Sequence, residues 1–247
     1  MGNVILVTLG AFLGGVTIRM TGVGFALVAL PFLLIALGPQ DTVGILLIAA
    51  SLLSVVMLVV WHEGIEWRRA LHLALWSVIG AVPGTLLLAV APERALELAI
   101  GVAAIVSLVG VLRVPRGVLT DTVLVRASGG LAVGFATAAA ALGAAPLSVY
   151  SRLIDWESTR LAISVQPIFV ITAVPFLVLR ALFGMSAVPS LPPDIGIALV
   201  AGAIVGLVIG TLLARRVPVV VAEWLQFTVA LGGSLIAVIR AVILWNA

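Results

Sequence analysis

Stretches of 15 to 25 residues without a charged side chain recur nine times along the chain, at about 4–18, 20–38, 43–61, 73–92, 98–112, 127–151, 161–179, 195–214 and 224–239. A helix that crosses the hydrocarbon of a bilayer needs about 20 apolar residues, and only helices or closed barrels satisfy their backbone there. The pattern predicts an all-α polytopic membrane protein whose partner along most of its length is the lipid bilayer. The joints at 38–41, 62–69, 92–94, 113–126, 152–160, 180–194 and 215–218 are too short for a catalytic domain in water. Any function must be built within the membrane. Composition agrees, with 63% hydrophobic and 9% charged residues, against about 25% charged in a soluble domain.

All thirteen basic residues are Arg, yet the net charge is only +3 and no basic run exceeds two residues. Nucleic-acid binding is therefore not expected. With no Cys, disulfides, thiolate metal sites and cysteine chemistry are excluded. The opening Met1-Gly2-Asn3-Val4 lacks the basic region of a signal peptide, so the first apolar segment is expected to remain in the mature chain.

Two motifs recur. Gly80-x3-Gly84-Thr85-Leu86-Leu87-x4-Pro92 returns as Gly206-x3-Gly210-Thr211-Leu212-Leu213-x4-Pro218, and Gly10-x3-Gly14 with Gly22 returns as Gly130-x3-Gly134 with Gly143. The same order and similar offsets predict a duplication. The expected organisation is a first transmembrane repeat over 1–115, a cytoplasmic linker over 116–126 and a second repeat over 127–247.

The arginines decide between two topologies. With four plain crossings per half, they divide seven to five, which gives no orientation. If the opening segment of each half (about 4–37 and 127–154) goes in and returns to the same side, the count changes. Arg68, Arg69, Arg113, Arg116, Arg126, Arg152, Arg160, Arg215 and Arg216 then oppose Arg94, Arg180 and Arg240. Nine to three fits the positive-inside rule. Each half then changes sides an odd number of times. The expectation is two inverted repeats, each a broken or re-entrant segment followed by three transmembrane helices, with both termini outside the cytoplasm in a multi-pass plasma (inner) membrane protein.

The breaks carry the candidate chemistry. In Gly14-Gly15-Val16-Thr17-Ile18-Arg19-Met20-Thr21-Gly22-Val23-Gly24-Phe25, Gly22 and Gly24 let the backbone turn. The helix that restarts there exposes N–H groups and the positive end of its dipole, a site suited to an anion. Thr17 and Thr21 offer hydroxyls, and Thr21 is expected to cap the returning limb. Arg19 would pair with a carboxylate, sulfonate or phosphate through its planar fork, or else snorkel to the cytoplasmic interface. The second half offers Gly143, Pro146 and Ser148, where Pro146 suits the first turn of a new limb. Gln166, beside Pro167 inside the 161–179 span, adds a polar contact or else marks a packing kink.

Other polar groups read as bilayer furniture. Ser51 and Ser54 share a helix face and are expected to bond their own carbonyls. His62, Glu63, Glu66 and His72 lie beside Trp61 and Trp67, as Tyr150, Arg152, Asp155, Trp156, Glu157 and Arg160 lie together, in the manner of interface anchors. Arg152 is a candidate guide for an anion at the cytoplasmic mouth. No metal site, cofactor or catalytic residue is expected.

The Gly-rich opening break, Pro31 beyond it, and the Gly143-x-x-Pro146 break of the second half resemble the TauE/SafE sulfite exporter family (TSUP transporters) over nearly the whole chain. The family's run of three glycines is here Gly22-Val23-Gly24, and in the second half Gly143-Ala144-Ala145. Arg19 stands where a small or apolar residue would be usual. The resemblance implies a secondary transporter, not an enzyme, that moves a small anion such as sulfite or an organosulfonate. The expected site lies at the midplane between the two repeats. The alternatives are an intramembrane enzyme, for which two His near one interface and no Cys leave little material, and a non-transporting assembly subunit.

Overall fold

A computed structural model describes residues 2–214 and 216–245, and the described residues form ten helices without a strand. They are α1 (Gly2–Thr21), α2 (Phe25–Leu37), α3 (Pro39–Val60), α4 (Trp67–Val90), α5 (Glu93–Arg113), α6 (Val123–Ala140), α7 (Ala144–Leu153), α8 (Ser158–Leu182), α9 (Pro193–Leu213) and α10 (Val219–Trp245). Eight of them, all but α2 and α7, are long and apolar enough to cross a membrane. The all-helical, multi-pass character expected from the charge-free windows is therefore present. Met1, Arg215, Asn246 and Ala247 lie outside the described residues, so the placement of the two termini and the share of Arg215 in the arginine count do too.

Each expected broken segment consists of a long helix and a short return. At 1.5 Å per residue α1 (20 residues) and α6 (18 residues) reach about 30 and 27 Å, whereas α2 (13 residues) and α7 (10 residues) reach only about 20 and 15 Å. The outgoing limb has the length of a full crossing and the return does not. Three long helices follow each pair.

The chain divides into two compact units that draw on both sequence halves. Unit 1 comprises 1–46, 91–105 and 189–247, and unit 2 comprises 47–90 and 106–188. In unit 1, α1 packs on α9. A Cβ added to Gly202 would lie 2.7 Å from the Thr8 carbonyl, one on Gly206 would strike the Phe12 carbonyl, and one on Gly210 would lie 2.8 Å from that of Val16. Residue numbers rise together along both helices, so the pair is parallel. In unit 2, α4 packs on α6 in the same way. Gly80 abuts Leu131, and a Cβ on Gly84 would lie 2.5 Å from the Phe135 carbonyl, while Gly130 and Gly134 abut Leu73 and Ser77. Small residues let backbones approach where lipid offers no hydrophobic drive for association.

These contacts align the halves more finely than the motifs did. Phe12 and Val16 correspond to Leu131 and Phe135, an offset of 119, so Gly15 matches Gly134 and Gly10 matches Gly129. The pairing of Gly14 with Gly134 is one residue out of step. The reason is that Gly14 faces α2, with a would-be Cβ 2.8 Å from Phe25, while Gly15 faces α9, with its Cβ 2.6 Å from the Ala203 carbonyl. The same offset matches Gly22 to Ala141, and both are left-handed, with φ of 77° and 56°.

Both broken segments fold back so that their ends meet. In unit 1, Asn3 Nδ2 donates to the Ala36 carbonyl at 3.0 Å. In unit 2, the backbone N–H groups of Gly117 and Leu119 donate to the Arg152 and Leu153 carbonyls, each at 2.9 Å. The Tyr150 hydroxyl donates to Asp121 Oδ1 at 2.8 Å.

Candidate functional site

The first break closes α1 and opens α2. Gly22 and Gly24 take φ of 77° and 111°, a region that costs an L side chain about 1–2 kcal/mol. Gly24 also has no room for a Cβ, which would fall on the Gln226 side chain of α10. Thr21 does not cap α2. Its hydroxyl lies 2.9 Å from the Thr17 carbonyl, 2.5 Å from that of Val23 and 3.2 Å from Gln226 Oε1. All are acceptors, so the hydroxyl closes the end of α1 instead. No side chain caps α2 at Gly24, which leaves its first-turn N–H groups facing the break.

Arg19 is half-buried, and its Nε donates to Thr211 Oγ1 of α9 at 3.1 Å. Thr211 in turn donates to its own Leu207 carbonyl at 2.8 Å, so its hydroxyl proton is spent inside the helix and its lone pair receives the guanidinium. Thr17 is buried and donates to the Gly14 carbonyl at 2.9 Å. The structure thus gathers Thr17, Arg19, Thr21, Gly22 and Gly24 in unit 1 and adds two residues that sequence reading passed over, Thr211 and Gln226. Thr211 belonged to the recurring Gly-x3-Gly-Thr motif, and that was its only signal. Gln226 had none, because an exposed-looking amide on the last helix matches no pattern.

The height of this site is also fixed within unit 1. Thr211 lies two residues, or about 3 Å, from the last residue of α9. Val16 and Met20 pack with Ala222, Val217 and Ile209 across the α9–α10 joint. Arg19 and the break therefore sit at one end of the α1–α9 pair and not halfway along it.

The second break is chemically plainer. Ala141 N–H donates to the Thr137 carbonyl at 2.8 Å, and Leu142 N–H to that of Ala136 at 3.1 Å. Gly143 leaves no room for a Cβ against the Thr137 hydroxyl, which itself donates to the Val133 carbonyl at 2.6 Å. Pro146 stands in the first turn of α7, where it lacks nothing by having no N–H. Ser148 donates to the Ala144 carbonyl at 2.8 Å. Gln166, fully buried on α8, donates from Nε2 to the Ala162 carbonyl at 2.8 Å beside the kink at Pro167.

The two breaks differ most where they correspond. A Cβ on Gly210 would lie 3.0 Å from the Cβ of Arg19, and one on Gly84 would lie 3.2 Å from the Cβ of Ala138. Arg19 and Ala138 thus hold equivalent positions, opposite the equivalent threonines Thr211 and Thr85. Thr85 donates to the Ala81 carbonyl at 2.8 Å, and the position equivalent to Arg19 carries only the methyl group of Ala138.

The polar joints of unit 2 meet in one cluster. Arg69 donates to Asp121 Oδ2 at 2.7 Å and to Glu66 at 2.5 Å, Arg126 donates to Asp121 at 2.9 Å, and Trp156 Nε1 donates to Glu66 Oε1 at 2.8 Å. Arg69 also lies 4.5 Å from the Trp156 ring centroid. Burial pushes the Asp121 carboxyl up, but hydrogen bonds from Arg126, Arg69 and Tyr150, with the charge of Arg69, outweigh it and hold the group at about 2. Arg152 bonds the Val111 carbonyl, so it ties the end of α7 to α5. Ser51 donates to the Leu47 carbonyl at 2.7 Å as expected, whereas the Ser54 hydroxyl is buried without a hydrogen-bond partner. His62 and His72 lie against the Val59 and Arg68 carbonyls. Among the described residues no three His, Cys, Asp or Glu side chains are grouped to hold a metal ion.

Comparison with the curated proteins finds no match. Comparison with protein families does, and it covers both breaks, the matched helix pairs and the charge cluster: over residues 7–239 the chain belongs to the Sulfite exporter TauE/SafE family of membrane transport proteins.

Proposed function

We propose that this chain is a secondary transporter that carries a small sulfur-containing oxyanion, sulfite or an organosulfonate, and that the first break is its anion-binding element. The observation that carries the reading is Arg19, held through Nε by Thr211 beside the uncapped start of α2. The bond from Nε to Thr211 helps to set the plane of the guanidinium, a group whose planar fork matches oxyanion oxygens. The dipole end of α2 adds a second attraction of the same sign. Arg19, Thr21 and the glycines Gly22 and Gly24 receive the anion, with Gln226 closing the same wall. Gly143, Pro146, Ser148 and Gln166 form the uncharged counterpart in unit 2, where dipole and hydroxyls replace the guanidinium. Because Arg19 sits at the end of its helix pair, the anion is met near a membrane face and not at the midplane.

Inverted repeats are the arrangement we infer for the two halves. What supports it is that each broken segment brings its own ends together, leaving three long helices to supply an odd number of side changes. The Asp121 cluster supports it further, since it draws the joints at 62–69, 113–126 and 152–160 together. The nine-to-three sorting of arginines needs these joints on one side, which we assign to the cytoplasm, with both termini opposite.

The test is a ligand screen on the purified chain in detergent, reading thermal stabilisation by sulfite, methanesulfonate, acetate and phosphate. Ligand at about 100 times its Kd should add about 2.7 kcal/mol to stability. The reading expects sulfite or methanesulfonate to stabilise the wild type and, at the same concentration, to stabilise Arg19→Ala by only about 0.4–1.4 kcal/mol. Stabilisation by acetate or phosphate alone would reassign the substrate.

A further inference from the structure

We propose that Glu97 is a proton-binding site coupled to the broken segment of unit 1. The inference rests on the carrier reading above and adds the coupling ion to it.

Glu97 lies on the second turn of α5, and only 14% of its side chain is exposed. Its Oε1 is buried without a hydrogen-bond partner. The other shielded carboxylates are treated differently. Asp121 receives Arg69, Arg126 and Tyr150, and Glu66 receives Arg69 and Trp156. Among the described residues Glu97 pairs only with Arg240, whose Nη1 stands 3.9 Å away, too far for a hydrogen bond, and donates instead to the Ile35 carbonyl of α2 at 2.7 Å. A second oxygen in the region is equally bare. Ser234, on the stretch of α10 that packs against Gly101 one turn beyond Glu97, is 1% exposed and its hydroxyl has no partner. A buried oxygen without a donor is costly. Adding a proton to Glu97 removes the charge and supplies an O–H for it to donate.

The charged groups borne by the elements packed there are Glu93 and Arg94 on α5 itself, Asp41 in the first turn of α3, and Arg240 on α10. Glu93 sits against Gly38, at the α2–α3 joint. The recurring motif gives Glu97 a counterpart, Glu223, at the offset of 126 that separates Pro92 from Pro218. Glu223 is exposed, so the duplicated carboxylate is sheltered in one half only.

The route to the anion site runs along α2, about 16 Å from Ile35 to Gly24. Arg240 is shared between Glu97 and the carbonyl of Ile35, and Ile35 stands on the last turn of α2, whose first residue adjoins Gly24. Ionised Glu97 draws Arg240 toward α5. Once Glu97 takes a proton from water, the attraction ends and Arg240 is left to α2 alone. Return of the proton on the opposite side restores the pair. One proton thus accompanies each anion, and the two charges cancel.

The experiment has two readouts. The first is an infrared pH titration of the purified chain, following the carbonyl stretch of protonated carboxylic acids. Glu97→Gln should remove one titrating band, and Glu223→Gln should leave that band in place. The second uses proteoliposomes and labelled methanesulfonate, which stays ionised across the pH range. With one proton per anion, wild type and Glu223→Gln should shift accumulation about tenfold for each unit of imposed pH gradient, and Glu97→Gln should lose that response. A band that survives in Glu97→Gln, or a gradient response in Glu97→Gln equal to that of wild type, would overturn the proposal. So would accumulation driven by Na⁺ and indifferent to pH. Methanesulfonate exchange by the wild type at equal pH tests the carrier reading separately. If exchange is absent that reading fails, and the infrared titration alone then decides the proton site.

Discussion

Replacing Gly210 by Ala adds a single methyl group at the point where α9 crosses the end of α1. That methyl would lie 2.8 Å from the Val16 carbonyl oxygen and 3.0 Å from both the Val16 Cα and the Arg19 Cβ. Non-bonded heavy atoms rest at about 3.5–4.0 Å, so the helices must part by about 0.5–1 Å, a gap that forfeits a quarter to a half of each contact it opens. Overpacking of this kind costs about 1–3 kcal/mol, while exchanging Gly for Ala inside a helix returns about 1 kcal/mol of propensity. The net loss should be up to about 2 kcal/mol. Gly84→Ala, whose methyl would lie 2.5 Å from the Phe135 carbonyl, should cost at least as much. Gly196→Ala and Gly110→Ala are the controls, since a Cβ there meets nothing within 4 Å and only the propensity gain remains. Thermal unfolding in detergent measures all four, with about 2–4 °C expected per kcal/mol for a chain of this size. If Gly210→Ala and Gly84→Ala melt with Gly196→Ala, the close parallel packing of these helices is wrong.

Three further outcomes follow from the site and its surroundings. Asp121, in the joint before α6, is held at about 2 against an ordinary 3.8. A depressed carboxyl stabilises the fold in full above its unfolded value and loses that contribution as pH falls from about 3.8 through about 2. Acid unfolding of Asp121→Asn should therefore be flatter than that of wild type over this window, with about 2 kcal/mol already missing at neutral pH. Thr211→Val should weaken sulfite binding about fivefold by removing the acceptor for Arg19, a loss of about 1 kcal/mol, whereas Thr85→Val, opposite Ala138, should not change it. Because the chain has no Cys, single cysteines report topology cleanly. Cysteines placed at Arg116 and Glu157 should label from the cytoplasmic side and one at Arg94 from the other, and labelling of Arg116 and Glu157 from opposite sides would sink the inverted arrangement.

Much of the helical frame was legible in the sequence because scarcity of charge is a strong signal in a bilayer. Eight of the nine windows each fall on one of the eight long helices, the window 20–38 holds the short α2, and the window 127–151 runs on from α6 into α7. The breaks fall at Gly22–Gly24 and just before Gly143. What escaped was whatever depends on facing. Gly14 and Gly15 look alike in sequence, yet one meets Phe25 of α2 and the other Ala203 of α9, so the repeat was first aligned one residue out of step. Thr21 had the chemistry of a helix cap, but two carbonyls, those of Thr17 and Val23, lie within reach of its hydroxyl and no N–H of α2 takes it. The role of Asp121 has no local signal, because Arg69 and Tyr150 reach it from 52 and 29 residues away in the chain. Glu97 lies just outside the charge-free window 98–112, and its burial, with 14% of its side chain exposed, depends on tertiary packing that no local pattern shows.

Arg19 is the group proposed to meet the anion. Isothermal titration of purified wild type and Arg19→Ala with sulfite and methanesulfonate measures that contact without needing transport. A hydrogen bond to a charged group contributes about 1.5–3 kcal/mol, so the account predicts that Arg19→Ala binds its preferred anion about ten- to a hundredfold more weakly. Equal affinity in the two proteins would contradict it.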